Sequence, residues 1–149
     1  DLHSFPTRRS SDLTNVEITV PVIGNDEPKA LPIIEIALDS EFYDLKVKYE
    51  PASLHHIIPA RLDETVYKRA EALGIAAHKV LGCRGVSRTD FIVRKDGTPV
   101  MLETNSIPGM TDRSLLPDAA HHAGIEFSEL CTRFVQWALE DVPACAVAR

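Results

Sequence analysis

The chain is 149 residues long, 44% hydrophobic and 26% charged, the balance of one globular domain with room for a sizeable core. Its net charge of −6 excludes bulk attraction to nucleic acid or to an anionic membrane, while leaving room for a local basic site for phosphates. No apolar run approaches the roughly 20 residues that a membrane helix needs.

Residues 1–13, DLHSFPTRRSSDL, are polar, rich in serine and arginine, and without period. The string SFPTRRSSDL resembles translated sequencing-adapter sequence, so this leader is read as foreign and expected to be disordered. The domain reading therefore starts at residue 14. VEITVPVIG (Val16 to Gly24) is rich in β-branched residues and predicts a strand, NDEPK (Asn25 to Lys29) a turn, and LPIIEIAL (Leu31 to Leu38) a second strand antiparallel to the first. Asp39 to His56 reads as loop; its lysines and tyrosines are surface residues, or a lid if a phosphate binds nearby. Asp63 to Leu81 predicts the clearest helix, with Asp63 as N-cap, an apolar stripe of Val66, Ala70, Leu73, Ala77, Val80 and Leu81, and Gly82 just past its end. Gly74 inside it is expected to cost about 1 kcal/mol relative to alanine.

Asp96-Gly97 between two apolar-rich runs predicts a β-hairpin with a two-residue turn. Counting outward places Asp90 opposite Glu103 and Arg88 opposite Asn105, all on one face. Phe91, Val93, Val100 and Leu102 fall on the other face. Facing carboxylates repel at a cross-strand distance of about 4.5–5.5 Å and need a cation. Arg88 supplies part of the compensation. A hard divalent ion would supply the rest, and an ordinary arginine–carboxylate network on a solvated face would also serve. The count alone leaves the two open.

Pro108-Gly109 marks a tight turn, and Ser114 or Asp112 caps a short helix through Ala123. Ser128 is placed as cap of a last helix to about Glu140, with Leu130, Cys131, Phe134, Val135, Ala138 and Leu139 as its stripe and Trp137 beside it. Cys83, Cys131 and Cys145 form no paired motif, which fits a reducing cytoplasm. The pairs His55-His56 and His121-His122 lack a third ligand at metal-site spacing.

MLETNSIPGMTDRSLLP (Met101 to Pro117) resembles the D-alanine–D-alanine ligase signature L-E-x-N-x-x-P-G-M-T-x-x-S-L-x-P. SRTD (Ser87 to Asp90) resembles that family's G-R-x-D segment, FYDLKVKY (Phe42 to Tyr49) its F-Y-D-Y-x-x-K-Y loop, and VEITV (Val16 to Val20) its E-x-T-V strand. Four segments in the family's order cover most of Val16 to Glu140. The resemblance implies an α+β chain, the C-terminal part of an ATP-grasp fold, with an antiparallel sheet and packed helices over 14–149. It implies a cytoplasmic ligase that uses ATP and two Mg²⁺ or Mn²⁺ ions to join two D-alanines, through an acyl phosphate, for peptidoglycan precursors.

By the same resemblance, Asp90, Glu103 and Asn105 are the metal ligands. Arg88 and the backbone N–H of Gly109 stabilise the tetrahedral intermediate. Ser114 and Leu115 take the carboxylate of the second D-alanine. Lys48 contacts the transferred phosphate, with Tyr49 beside it on a closing loop, and Glu17 holds the ATP ribose. A homodimer of the full-length enzyme stays open. The sequence departs from the pattern at Ser87, where glycine is usual, at Thr89, where isoleucine is common, and in a longer NDEPKA turn. Neither substitution removes a functional group.

The family's N-terminal domain, its nucleotide-contacting lysines and its Gly/Ser-rich loop have no counterpart here. The chain is therefore expected to be a fragment without turnover alone, and D-alanine-dependent ADP release from it would overturn that. The alternatives are a D-alanine–D-lactate ligase, against which Lys48-Tyr49 argues, or a non-catalytic metal- or nucleotide-binding remnant.

Overall fold

A computed structural model describes residues 15–38, 54–111 and 114–140. Its elements are β1 (Val16–Ile23), β2 (Lys29–Ala30), β3 (Ile34–Leu38), β4 (Leu54–Ile57), α1 (Glu64–Val80), β5 (Val86–Val93), β6 (Pro99–Asn105), α2 (Leu115–His122) and α3 (Phe127–Glu140). The strands form a 6-stranded sheet ordered β4-β3-β1-β5-β6, with β2 pairing off β1. Every pairing is antiparallel. The expected α+β architecture of antiparallel sheet and packed helices is what the chain adopts.

Strand alternation sorts the core into two layers. Ile18, Val20, Val22, Phe91 and Val93 pack with Ala70 of α1 on one face. Ile23 and Ile34 meet Leu116, Ala119, Ala120 and Leu130 of α2 and α3 on the other. Each of the buried valine, isoleucine, leucine and phenylalanine side chains contributes about 1.5–3 kcal/mol relative to exposure.

The expected second strand starts late, at Ile34, and a short β2 precedes it at Lys29–Ala30, where the end of a turn was expected. Pro32 has no N–H for the ladder, so the chain pairs as β2, breaks, and resumes as β3. Ile33 N–H at the break donates instead to the Tyr67 hydroxyl of α1 at 2.8 Å. β4 falls in a stretch read as loop and apolar connection, and pairs with β3 from Glu35↔Ile57 to Leu38↔Leu54. A cis Ile58–Pro59 bond follows it. Arg61 then grips buried Glu35 through its backbone N–H and its guanidinium, holding that carboxyl below the usual range.

The stripe expected for α1 is displaced. The helix buries Ala70, Gly74 and His78, while Leu73, Val80 and Leu81 are exposed. Asp63 sits at the N-cap without a side-chain hydrogen bond. Gly74 is the point where the helix touches β1: an added Cβ would stand 2.5 Å from Val20 Cγ1 and 3.0 Å from Val20 Cβ. Gly74→Ala should gain about 1 kcal/mol of helix propensity but lose about 1–3 kcal/mol to overpacking against a stiff β-branched neighbour. A net loss in urea unfolding is the expected result; a net gain would show that the helix lifts freely.

His78 has no exposed surface; its Nδ1 meets Ser87 Oγ at 2.8 Å, and its Nε2 has no hydrogen-bond partner. Burial lowers its pKa, a nearby Gly24 carbonyl opposes this, and Lys79 adds to the lowering. The folded state therefore binds fewer protons than the unfolded state below the ordinary histidine value of 6.5. This contribution to stability is intact above that value and is lost as pH falls through the window beneath it. Urea midpoints should fall across that window, and His78→Gln should flatten the fall; parallel profiles would remove His78 as the cause.

α3 starts two residues earlier than a Ser128 cap implies, at Phe127, so Ser128 lies inside its first turn. Of its expected stripe only Leu130 is buried; Phe134 and Trp137 are half-buried with their rings 5.8 Å apart, and Val135 and Leu139 face out. Asn25 ties this helix to the β1–β2 turn. Its Nδ2 donates to the Trp137 carbonyl at 3.0 Å and its Oδ1 accepts from Gly85 N–H at 2.8 Å.

Candidate active site

The β5–β6 hairpin places Asp90 opposite Glu103 and Arg88 opposite Asn105, as expected, but by a different route. The loop has three residues. Gly97 N–H donates to the Arg94 carbonyl at 2.9 Å, and Arg94 N–H to the Thr98 carbonyl at 3.0 Å. Gly97 has φ +75°, the left-handed conformation that closes a three-residue hairpin. That loop pairs Phe91 with Met101 and Ile92 with Val100. A bulge at Leu102 then brings the register back. Val100 therefore shares the face of Ile92 and Asp90, not that of Phe91 as expected. Met101 and Leu102 are exposed at the sheet edge.

β1 lies on the other side of β5, with Thr19 opposite Asp90 and Glu17 opposite Ile92. Glu17, Thr19, Arg88, Asp90, Glu103 and Asn105 thus project from one face. α2 and α3 cover Ile23 and Ile34 on that same face.

The centre of the group is tightly bonded. Arg88 Nε donates to Asp90 Oδ1 at 3.1 Å and Arg88 Nη2 to Oδ2 at 3.0 Å. The Thr19 hydroxyl donates to Asp90 Oδ1 at 2.5 Å. Thr19, Arg88 and Asp90 are all buried. Glu17 is half-buried; burial and then the charge of Asp90 push its carboxyl above the usual range. Three carboxylates on this face therefore meet one guanidinium, and the surplus is negative. Asn105 Oδ1 accepts from Ile107 N–H at 2.9 Å, which fixes which end of the amide is the oxygen. Two carboxylates and an amide oxygen are a hard-oxygen donor set suited to Mg²⁺ or Mn²⁺. Among the described residues no group of three or more His, Cys, Asp and Glu could hold a metal ion.

The loop after β6 folds on Ser114. Ser114 Oγ accepts from Thr111 N–H at 3.0 Å and lies 2.9 Å from Thr111 Oγ1. An added Cβ on Gly109 would come within 2.8 Å of that Oγ, so only glycine fits without a shift. Ser114 is the N-cap of α2, yet its hydroxyl does not cap the helix. Leu115 opens α2, and its side chain packs against the second core layer. α2 is moored to the sheet by His56, whose Nδ1 lies 3.1 Å from Asp118 Oδ2. His122 Nδ1 lies 3.0 Å from the Asp118 carbonyl. Lys48 and Tyr49 lie outside the described residues. Sequence reasoning left Thr19 without a role; its signal was the two-residue spacing from Glu17, which sets both on one face.

An antiparallel sheet between helices, with carboxylates, an amide and an arginine on one face, is the α+β architecture of the C-terminal part of an ATP-grasp fold. The chain belongs to the D-ala D-ala ligase C-terminus family, whose model matches residues 11–136. It is 46% identical over 137 residues to a D-alanine–D-alanine ligase of Pelotomaculum thermopropionicum, covering 92% of this chain and 42% of that protein. It is 50% identical over 129 residues to the Syntrophobacter fumaroxidans ligase, covering 85% of this chain and 41% of that one. Among solved structures, the D-alanine–D-alanine ligase from Bacillus anthracis complexed with ATP superposes with a TM-score of 0.70 at 33% identity, over 84% of this chain and 38% of that one. The VanG D-Ala:D-Ser ligase from Enterococcus faecalis gives 0.69 at 34% identity, over 82% and 36%. The chain thus spans about two fifths of the length of the curated relatives it matches.

Proposed function

We propose that this chain is the catalytic floor of an enzyme that joins two D-alanines into D-alanyl-D-alanine at the expense of ATP, through an acyl phosphate. Residues 14–149 would be the C-terminal part of its ATP-grasp domain. The observation that carries the reading is the register that sets Asp90 against Glu103 with Arg88 and Asn105 beside them.

Asp90, Glu103 and Asn105 would hold two Mg²⁺ or Mn²⁺ ions. When bound, these ions and ATP supply the phosphoryl group and neutralise charge on the phosphates. Arg88, always charged and held in place by Asp90, stabilises the oxyanion that develops when the amine attacks. The N–H of Gly109 donates to the same oxygen, and the absent side chain lets the backbone come close. Ser114 and the start of α2 at Leu115 receive the carboxylate of the second D-alanine, where free helix N–H groups favour an anion. Glu17 takes the ATP ribose. Lys48 and Tyr49 contact the transferred phosphate from a closing loop that excludes water. The free thiols of Cys83 and Cys131 fit a reducing cytoplasm, and no helix among the described residues is long and apolar enough to cross a membrane.

The test is ADP release by the full-length enzyme with product analysis. D-alanine and Mg²⁺ should both be required and D-alanyl-D-alanine should accumulate. A depsipeptide formed from D-lactate in its place would overturn the substrate assignment.

A further inference from the structure

A carboxylate offers about four lone-pair sites, two on each oxygen. On Asp90 three are already taken. Oδ1 accepts from both the Thr19 hydroxyl, at 2.5 Å, and Arg88 Nε, at 3.1 Å, so it is saturated. Among the described residues Oδ2 accepts only from Arg88 Nη2, at 3.0 Å. We propose that Thr19 is a positioning residue for the metal site: it fills the last free lone pair of Asp90 Oδ1 and so leaves Oδ2 as the oxygen that binds the ion. This rests on the metal reading of Asp90, Glu103 and Asn105.

The physical case is local. Thr19 has no exposed surface and Asp90 little, so no water replaces a missing hydroxyl cheaply. Thr19 sits directly opposite Asp90 in the central β1–β5 ladder, which runs unbroken from Val16↔Val93 to Ile23↔Val86. Its hydroxyl is thus fixed by backbone pairing, not by a mobile loop. Arg88 alone could pivot with the carboxylate; the second donor, arriving from a different strand, stops that rotation. Bonds that orient a ligand in this way typically govern metal affinity by about 10–100-fold.

The test uses the 149-residue chain and Mn²⁺ as probe, with affinity read by water-proton relaxation. Thr19→Val should weaken Mn²⁺ binding by about tenfold or more, and Thr19→Ser, which keeps the hydroxyl, should restore it. Glu103→Gln, a ligand change, should also weaken it. Equal binding by wild type and Thr19→Val, with Glu103→Gln weakened, overturns the role of Thr19 and leaves the metal reading standing. No binding by wild type, or no effect of Glu103→Gln, overturns the metal reading and this proposal with it. If Thr19→Val does not fold by circular dichroism, the decisive measurement is the crystal structure of the wild-type chain with Mn²⁺. An ion on Oδ2 supports the proposal, and an ion on Oδ1 overturns it.

Discussion

Asp90→Ala should destabilise the chain by about 3–5 kcal/mol, because it strips a buried guanidinium of its only carboxylate partner among the described residues. Arg88 is 8% exposed and Asp90 5%, so solvent replaces little of what is lost. The Thr19 hydroxyl would also lose its acceptor. Such a result must not be read as the worth of the pair. Buried ion pairs replaced whole by apolar residues of similar volume are often neutral or stabilising. The combined Thr19→Val, Arg88→Met, Asp90→Leu chain should therefore recover most of the loss. Urea unfolding of the four chains (parent, Asp90→Ala, Arg88→Met alone, and the triple) separates the cases. A triple variant as unstable as Asp90→Ala would mean that the pair is needed to shape the sheet. Recovery would mean that it is kept for chemistry.

Glu103→Gln in the full-length enzyme should act in the opposite way, with little effect on stability and a large effect on turnover. Glu103 is exposed, and glutamine keeps its shape. Surface changes of this kind usually stay within about 0.5 kcal/mol. Its charge, however, stands across from Asp90 in the proposed ion site. Loss of a carboxylate that would hold the ion neutralising a transferring phosphate is expected to lower kcat by about 10²-fold or more and to raise the Mg²⁺ concentration needed for half-maximal rate. ADP release measured across a Mg²⁺ titration reads both. An unchanged rate and titration would remove Glu103 from the ligand set.

The facing of the four hairpin residues was legible in the sequence and parts of the fold around them were not, for reasons that lie in particular residues. Arg88 and Asp90 alternate on one run and Glu103 and Asn105 on the other, and a count across a two-residue turn set them opposite one another because the three-residue loop and the bulge at Leu102 cancel. β4 was missed because LHHI carries neither alternation nor a turn signal; it is a strand because β3 offers it an edge. The stripe of α1 was misplaced because hydrophobicity ranked Leu73 and Val80 above Gly74 and His78. The close approach to Val20 and the bond to Ser87 instead select the small residue and the polar one. Thr19 could be placed on the right face from spacing, but its bond to Asp90 depends on β1 lying beside β5, and that pairing joins residues 71 positions apart.

The bulge at Leu102 gives the hairpin an insulating joint. The sequence has two ways to bring Glu103 opposite Asp90: a two-residue turn with a straight ladder, or the observed three-residue loop with one extra residue. They differ only between the tip and Leu102, where either Met101 or Leu102 stands against Phe91. Both alternatives are apolar, so a slip at the tip exchanges similar side chains. The end that carries the charged residues does not register the difference. Variation in loop geometry at 94–98 is thereby uncoupled from the spacing of the reactive groups, much as an expansion joint lets one span of a bridge move without loading the next.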